Sequence, residues 1–303
     1  MKLRSLVAAG VLVSLCMAST ASAQWGRALL LQRFESPTRI TVDDSGRMFV
    51  TDYNMKAVVR IDPSDRRYLS SMRVEGKATG LAAGGGKVYV GNETLDRIEM
   101  FDVSGVYLGQ FGGIAVTDPT ELAIDAEHDR LFAVDTGAKC IRAFSLGGMG
   151  ALVSTISGPG LANHLLQHPT GLAVDAAAQE VYVADGGDID NLIEPRIIVF
   201  GYDGTYHGMI SGSGGTQGYY FSKPQGLALG ESGHVFVVDA FLGRVAVMDR
   251  ATGEEVATAG EFGQKPGQLR LPLDVVIYGE NKDLYITSNQ TRRVEVIAEG
   301  GKK

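Results

Sequence analysis

The sequence predicts an all-β fold, and three features carry that prediction. The stretch 168–185, HPTGLAVDAAAQEVYVAD, holds two short apolar runs, 172–174 and 181–184, joined by turn-like residues. Short runs of β-branched and small residues bounded by turns read as paired antiparallel strands. The same pattern recurs six times, beginning at Pro37, Ala78, Pro119, Pro169, Pro224 and Pro272. The sixth copy stops before a fourth strand, while an unassigned apolar run, residues 28–34, stands ahead of the first copy. Repeats of roughly 40–55 residues with four strands each are the mark of a β-propeller. The expected architecture is a six-bladed β-propeller of four-stranded antiparallel blades, closed by pairing 28–34 with 294–297.

Residues 1–23 stand outside the repeats. Lys2 and Arg4 precede an apolar run over 6–17, followed by Ala21-Ser22-Ala23. A basic start, an apolar stretch and an A-x-A site are expected to form a cleaved signal peptide, leaving a periplasmic or extracellular chain that begins at Gln24. The apolar run is too short for a membrane span and nothing later reaches its length, so no membrane insertion is expected. Cys16 raises the question of lipid anchoring, but bulky Leu15 stands where lipoprotein signals carry a small residue. Loss of Cys16 leaves Cys140 as the only thiol, so no internal disulfide can form. Its apolar setting, Cys-Ile-Arg-Ala-Phe, reads as core. Residues 24–303 are expected to form a single domain with one large core. Lys2 and Arg4 leave with the leader, which has no acidic residue, so the net charge moves from −7 to −9. An acidic surface argues against nucleic-acid or anionic-membrane binding, which need shared faces of Lys and Arg.

Within the repeats, the middle residue of each first strand is Thr41, Ala82, Ala123, Ala173, Ala228 or Val276. Mostly small side chains there suit strands crowded around an axis. Each second strand carries an aromatic at one place: Phe49, Tyr89, Phe132, Tyr182, Phe236 and Tyr285. The residue after it is Asp52, Asn92, Asp135, Asp185, Asp239 or Ser288. Third strands end near Ile61, Phe101, Phe144, Phe200, Met248 and Ile297, and a fourth follows in five copies.

These residues resemble the NHL-repeat family of six-bladed propellers, whose pattern is Pro-x-Gly-[Leu/Ile/Val]-Ala-[Val/Leu]-Asp, then Val-Tyr-Val-Ala-Asp, then Arg-[Ile/Val]. Residues 169–175 and 181–185 match the first two parts; Arg97-Ile98 and Arg244-Val245 match the third. Linkers 212–221 and 263–269 are similar to the family's Gly-rich stretch, and Phe34, Val116, Leu166, Phe221 and Leu269 hold its apolar slot three residues before the next copy. No copy carries Asn-His, and copy two has Ala78 and Asn92 where the pattern has Pro and Asp.

In a propeller, the loop leading into the first strand and the loop after the second share a face. That places Thr38, Thr79, Glu121, Thr170, Gln225 and Asp274 on one mouth with Asp52, Asn92, Asp135, Asp185, Asp239 and Ser288. A ring of carboxylates attracts cations or basic partners; the competing reading is that each Asp caps its own turn. Copy four carries extra residues after Asp185, and Asp188, Asp190, Asn191 and Glu194 in that loop are oxygen ligands of the calcium type, although their spacing is not that of an EF-hand. A solvated acidic loop is the plainer reading. His164 and His168, four apart, can begin a zinc or haem-iron site, but Leu165 and Leu166 beside them fit an ordinary linker.

The resemblance implies two kinds of function. Bacterial relatives often act as accessory or sensor modules, so the first expectation is a non-catalytic scaffold, without cofactor, that binds another envelope or extracellular protein through its loop face. The second is a metal-dependent hydrolase or lyase at the channel mouth, with calcium or zinc. Amidating lyases of this family use zinc-binding histidines, which His128, His207 and His234 do not match in place; gluconolactonase-type propellers share only a faint Glu35-Ser36-Pro37 start. Gly-x-Ser-x-Gly, His-Glu-x-x-His, a Walker loop and Cys-x-x-Cys-His are all absent.

Overall fold

The second strand of every repeat is apolar on both sides, and each is buried along nearly its whole length, as Met48–Asp52 and Glu180–Asp185 are. A strand buried on both faces must lie between two other layers. The fourth strands alternate instead, with Tyr107–Phe111, Leu152–Ile156 and Glu255–Ala259 half-exposed, and so mark the outer rim. This is a six-bladed propeller, seen in a computed structural model that describes residues 29–32, 34–64, 67–156, 166–211, 221–231 and 233–298.

Each blade is an antiparallel sheet whose four strands follow in order from axis to rim. The inner strands are Pro37–Val42, Ala78–Gly84, Pro119–Asp125, Pro169–Asp175, Pro224–Leu229 and Pro272–Tyr278. Blade six has only three strands from the C-terminal end of the chain, and Leu29–Gln32 supplies the fourth. It runs antiparallel to Arg293–Ile297, with Leu29 opposite Val296 and Gln32 opposite Arg293. Closure was expected over 28–34; pairing is described over 29–32, and residues 28 and 33 lie outside the described residues. The seam therefore exposes no unpaired edge from blade six's third strand. A parallel two-stranded piece, Glu261–Phe262 with Gln268–Leu269, lies in the linker before blade six and has no counterpart in the repeat pattern.

The core is six clusters between neighbouring blades. In one of them Tyr182 and Ile197 of blade four meet Leu227, Val235 and Val237 of blade five. The six second-strand aromatics are all buried, as are the linker residues Phe34, Val116, Leu166, Phe221 and Leu269. Before blade two the buried linker residue is Val74, four residues ahead of Ala78 rather than three, which hid it from the sequence spacing. Cys140 is a buried free thiol.

Threonine hydroxyls bolt the blades together near the axis. Thr79 donates to the Pro119 carbonyl (2.8 Å), Thr136 to Pro169 (2.7 Å), Thr170 to Pro224 (3.0 Å) and Thr287 to Thr38 (2.8 Å). Every inner strand also begins with a register shift against the second strand, after residue 37, 78, 119, 169, 224 or 272. Bulges re-aim side chains, and here they govern the residues that follow, at the axis.

Candidate functional site

The upper face of the ring carries the starts of the inner strands and the ends of the second strands. Asp52, Asp135, Asp185 and Asp239 sit there with side chains 0 % exposed. Asp239 accepts backbone N–H bonds from Ser222 (2.6 Å) and Lys223 (3.1 Å) in the incoming linker, and from Phe241 and Leu242 (both 3.1 Å) in its own turn. Asp52 does the same with Glu35, Ser36 and Met55. Asp185 takes Gln167, His168 and Gly187, with Arg196 at 3.3 Å. Asp135 takes Ala138 and the Arg142 guanidinium, 2.6 Å away. These carboxylates tie linker, turn and third strand together, and it is the loops they hold that face solvent.

Blades two and six show what the carboxylate is for. Asn92 cannot accept at both side-chain atoms; its Oδ1 accepts from Leu95 (3.1 Å), while its Nδ2 donates to the Glu75 carbonyl (2.7 Å) and to Glu99 (3.0 Å). Ser288 exchanges two bonds with the Arg270 backbone. In these two blades alone the third strand carries a buried glutamate, Glu99 or Glu295. The four Asp blades have Val59, Arg142, Ile198 and Ala246 at the matching register. Where the second strand gives up its acid, the third strand restores one.

The blade-four insertion is an ordered structure. Asp188 caps a 3-10 turn, Ile189–Asn191, and its carboxylate accepts from the Asn191 backbone and from Asn191 Nδ2 (2.8 Å). These bonds hold Asp188 below the usual carboxylate range. A bridge between Asp188 and Ile193 closes the loop's neck. Gly187 is required there, because at φ +68° a Cβ would collide with the Ile193 carbonyl at 2.3 Å. Asp190 and Asn191 are exposed, and Glu194 is half-buried at the neck. The tip is apolar: Ile189 is 80 % exposed and Leu192 89 %. Leu192 has φ 58°, a left-handed conformation that glycine or asparagine takes at lower cost. Phe241, Leu242 and Phe262 are exposed on the same face. The sequence pattern pointed to the loop's oxygens and missed its apolar tip, because exposure is set by tertiary packing.

His168 is exposed and its backbone N–H bonds Asp185 (2.6 Å); His164 lies outside the described residues. Among the described residues no three His, Cys, Asp or Glu side chains are grouped to hold a metal. No helix among them is long and apolar enough to cross a membrane.

At the axis stands a cluster that the sequence reading only grazed. Glu121 and Asp274 do not align with Thr38; they share the next position with Arg39, where Gly80, Gly171 and Gly226 stand in the other blades. Arg39 comes from blade one, is 5 % exposed, and reaches across the channel. It donates to the carbonyls of Thr120 (2.6 Å), Thr170 (2.6 Å) and Leu273 (2.8 Å), in blades three, four and six. Glu121 Oε2 lies 3.2 Å from Arg39 Nε, and Asp274 accepts the Ile40 N–H (2.8 Å). Burial drives Asp274 up to about 6 against the opposing pull of Arg39, and drives Glu121 well above its usual range.

Arg39 closes the channel toward the upper face. Below it a cavity of about 510 Å³ runs to the turns after the inner strands, on the lower face. Thr41, Ala82, Ala123, Ala173, Ala228 and Val276 line it. Small side chains were expected to let the strands crowd the axis; they leave a chamber.

Neither a family model nor a curated protein sequence matches the chain. Among solved structures it is similar to Kuenenia stuttgartiensis hydrazine synthase, with TM-score 0.63 and 14% identity over 88% of this chain and 78% of that one. It is also similar to a structural genomics protein of unknown function from Bacteroides thetaiotaomicron VPI-5482, with TM-score 0.67 and 16% identity over 92% and 74%. At these identities the likeness establishes the propeller fold.

Proposed function

We propose that the protein is an exported, non-catalytic propeller of the NHL-repeat type whose upper face docks another envelope or extracellular protein. The observation that carries this reading is the blade-four tip: Leu192 is 89 % exposed in a left-handed conformation, beside Ile189 at 80 %. A strained backbone and two fully wetted apolar side chains on a rigid blade cost stability, and such features gather where a partner binds. Asp188 and Asn191 shape the tip, while Asp190 and Glu194 supply its charge. Asp52, Asn92, Asp135, Asp185 and Asp239 contribute by fixing the loops around it. Loops on a stiff scaffold suit recognition, since little order is lost on binding.

The test is crosslinking of the exported full chain in its own cell envelope, followed by mass spectrometry, for wild type and for Ile189→Asp/Leu192→Asp. Reversing Asp188, Asp190 and Glu194 provides a charge counterpart. The expected result is a crosslinked partner that the apolar double variant loses. An unchanged crosslink map in both variants would remove the tip from the interface.

A further inference from the structure

We infer that the central chamber binds a small organic cation, a primary ammonium on a short hydrocarbon body, which enters from the lower face and seats its charge at Glu121 and Asp274. At about 510 Å³ the chamber falls in the size range of small-molecule sites. Most of its wall is aliphatic, from side chains such as Leu81, Ala123, Leu172 and Val276. Every ionisable residue lining it is a carboxylate: Glu121 and Asp274 at the closed end, Asp44 and Asp125 at the open one. Among the described residues no lysine or arginine lines it.

The closed end holds two carboxyl groups and a single guanidinium. Arg39 aims its donors at three backbone carbonyls, and its Nε–H points to Thr120 rather than to Glu121. Glu121 Oε1 accepts the Leu122 N–H (3.1 Å), but Oε2, in a side chain 6 % exposed, receives no hydrogen bond. Buried carboxyl oxygens are ordinarily satisfied, so a carboxyl in the chamber wall with one oxygen lacking a donor marks a place for one. With one guanidinium beside two buried carboxyl groups, a cationic donor gains over a neutral one because it lets both groups ionise. Burial raises both carboxyls despite Arg39, and a second cation would offset that cost.

The rim works in the same direction. Burial tends to raise Asp125, but hydrogen bonds from Tyr202 (2.6 Å) and His128 (2.7 Å) outweigh it and keep the group below its ordinary value. Asp44 accepts the Gly85 N–H at 2.9 Å. A low-dielectric cleft with charge of one sign at its mouth concentrates counter-ions. The site is separate from the upper face, so it neither needs nor tests the docking reading.

The test is calorimetric titration of the full exported chain with three probes of one shape: n-hexylammonium, 1-hexanol and hexanoate. Hexylammonium is expected to bind with one site per chain, at least about tenfold tighter than hexanol, and hexanoate to show no binding. Glu121→Gln should weaken hexylammonium at least about tenfold. Ala126→Trp, at an exposed rim position of the lining, should block uptake without disturbing the core. If Glu121→Gln fails to fold, the probe comparison and Ala126→Trp still decide the matter. Hexanoate binding as tightly as hexylammonium, or hexylammonium binding unchanged by both substitutions, overturns the inference. So does the absence of hexylammonium binding to the wild-type chain.

Discussion

Restoring aspartate at the one asparagine of the upper ring, Asn92→Asp, brings copy two closer to its neighbours, and consensus substitutions commonly stabilise. The geometry predicts the opposite. Asn92 Nδ2 donates to the Glu75 carbonyl and to Glu99, and both Asn92 and Glu99 are buried. The substitution removes both bonds and sets a carboxylate oxygen 3.0 Å from another carboxylate. A lost buried bond to a charged partner together with an uncompensated charge costs about 3–5 kcal/mol. Glu99→Val rebuilds the pairing of blade one, where Asp52 goes with Val59. In the double variant the like charge is gone but the Glu75 carbonyl still faces the new acid, so rescue is partial. The two substitutions should couple favourably by about 2 kcal/mol. Urea unfolding at pH 7.5, followed by far-UV circular dichroism on wild type, both single variants and the double, supplies the cycle. Stability at or above wild type for Asn92→Asp, or simple additivity in the double, would refute the account of the ring as a structural clamp.

Three further outcomes can be measured. Arg39→Lys should lower unfolding stability by about 2–4 kcal/mol, because one ammonium cannot span three diverging carbonyls; denaturant midpoints check this. Asp274 is neutral more readily in the folded chain, at about 6, than in the unfolded one, so its contribution is fully present below the unfolded value near 4 and is lost as pH rises through 6. That loss is on the order of 3 kcal/mol, and urea midpoints across this window should show Asp274→Asn without that part of the slope. Expression of the full sequence in a bacterial host should yield a secreted product whose N-terminal sequence begins at Gln24, and deleting residues 24–32 should expose the edge of Arg293–Ile297 and produce aggregation visible by light scattering.

Much of the architecture was legible because it is local. Short apolar strand pairs bounded by turns and an aromatic in each second strand repeat six times, an apolar linker residue recurs before five of the copies, and repetition makes weak signals add. Ring closure could be read because a missing strand at one end matched a spare one at the other. The axis was harder to read. Arg39 stands in a slot where three copies have Gly80, Gly171 and Gly226, and counting two residues on from each proline brings Glu121 and Asp274 into that slot, whereas the sequence reading set them beside Thr38, one position away. The bulge that begins each inner strand decides where those side chains go, and no residue type announces it. The same holds for the blade-four loop. Its acids read either as a solvated loop or as oxygen ligands; in the fold Asp188 and Asn191 bond to each other, and Ile189 and Leu192 stand in solvent.

Arg39 joins carbonyls whose positions are settled only when the whole circle exists; its bond to Leu273 spans 234 residues of sequence. A growing chain can offer this guanidinium the Thr120 and Thr170 carbonyls once blades three and four exist, but its full set of acceptors is complete only when the sixth sheet arrives. Loop-closure cost must be met before such distant contacts return any gain. The first module thus senses the completion of the last, and a chain truncated anywhere along the way is left as an open arc with a charge at its heart, a form well suited to disposal by proteases.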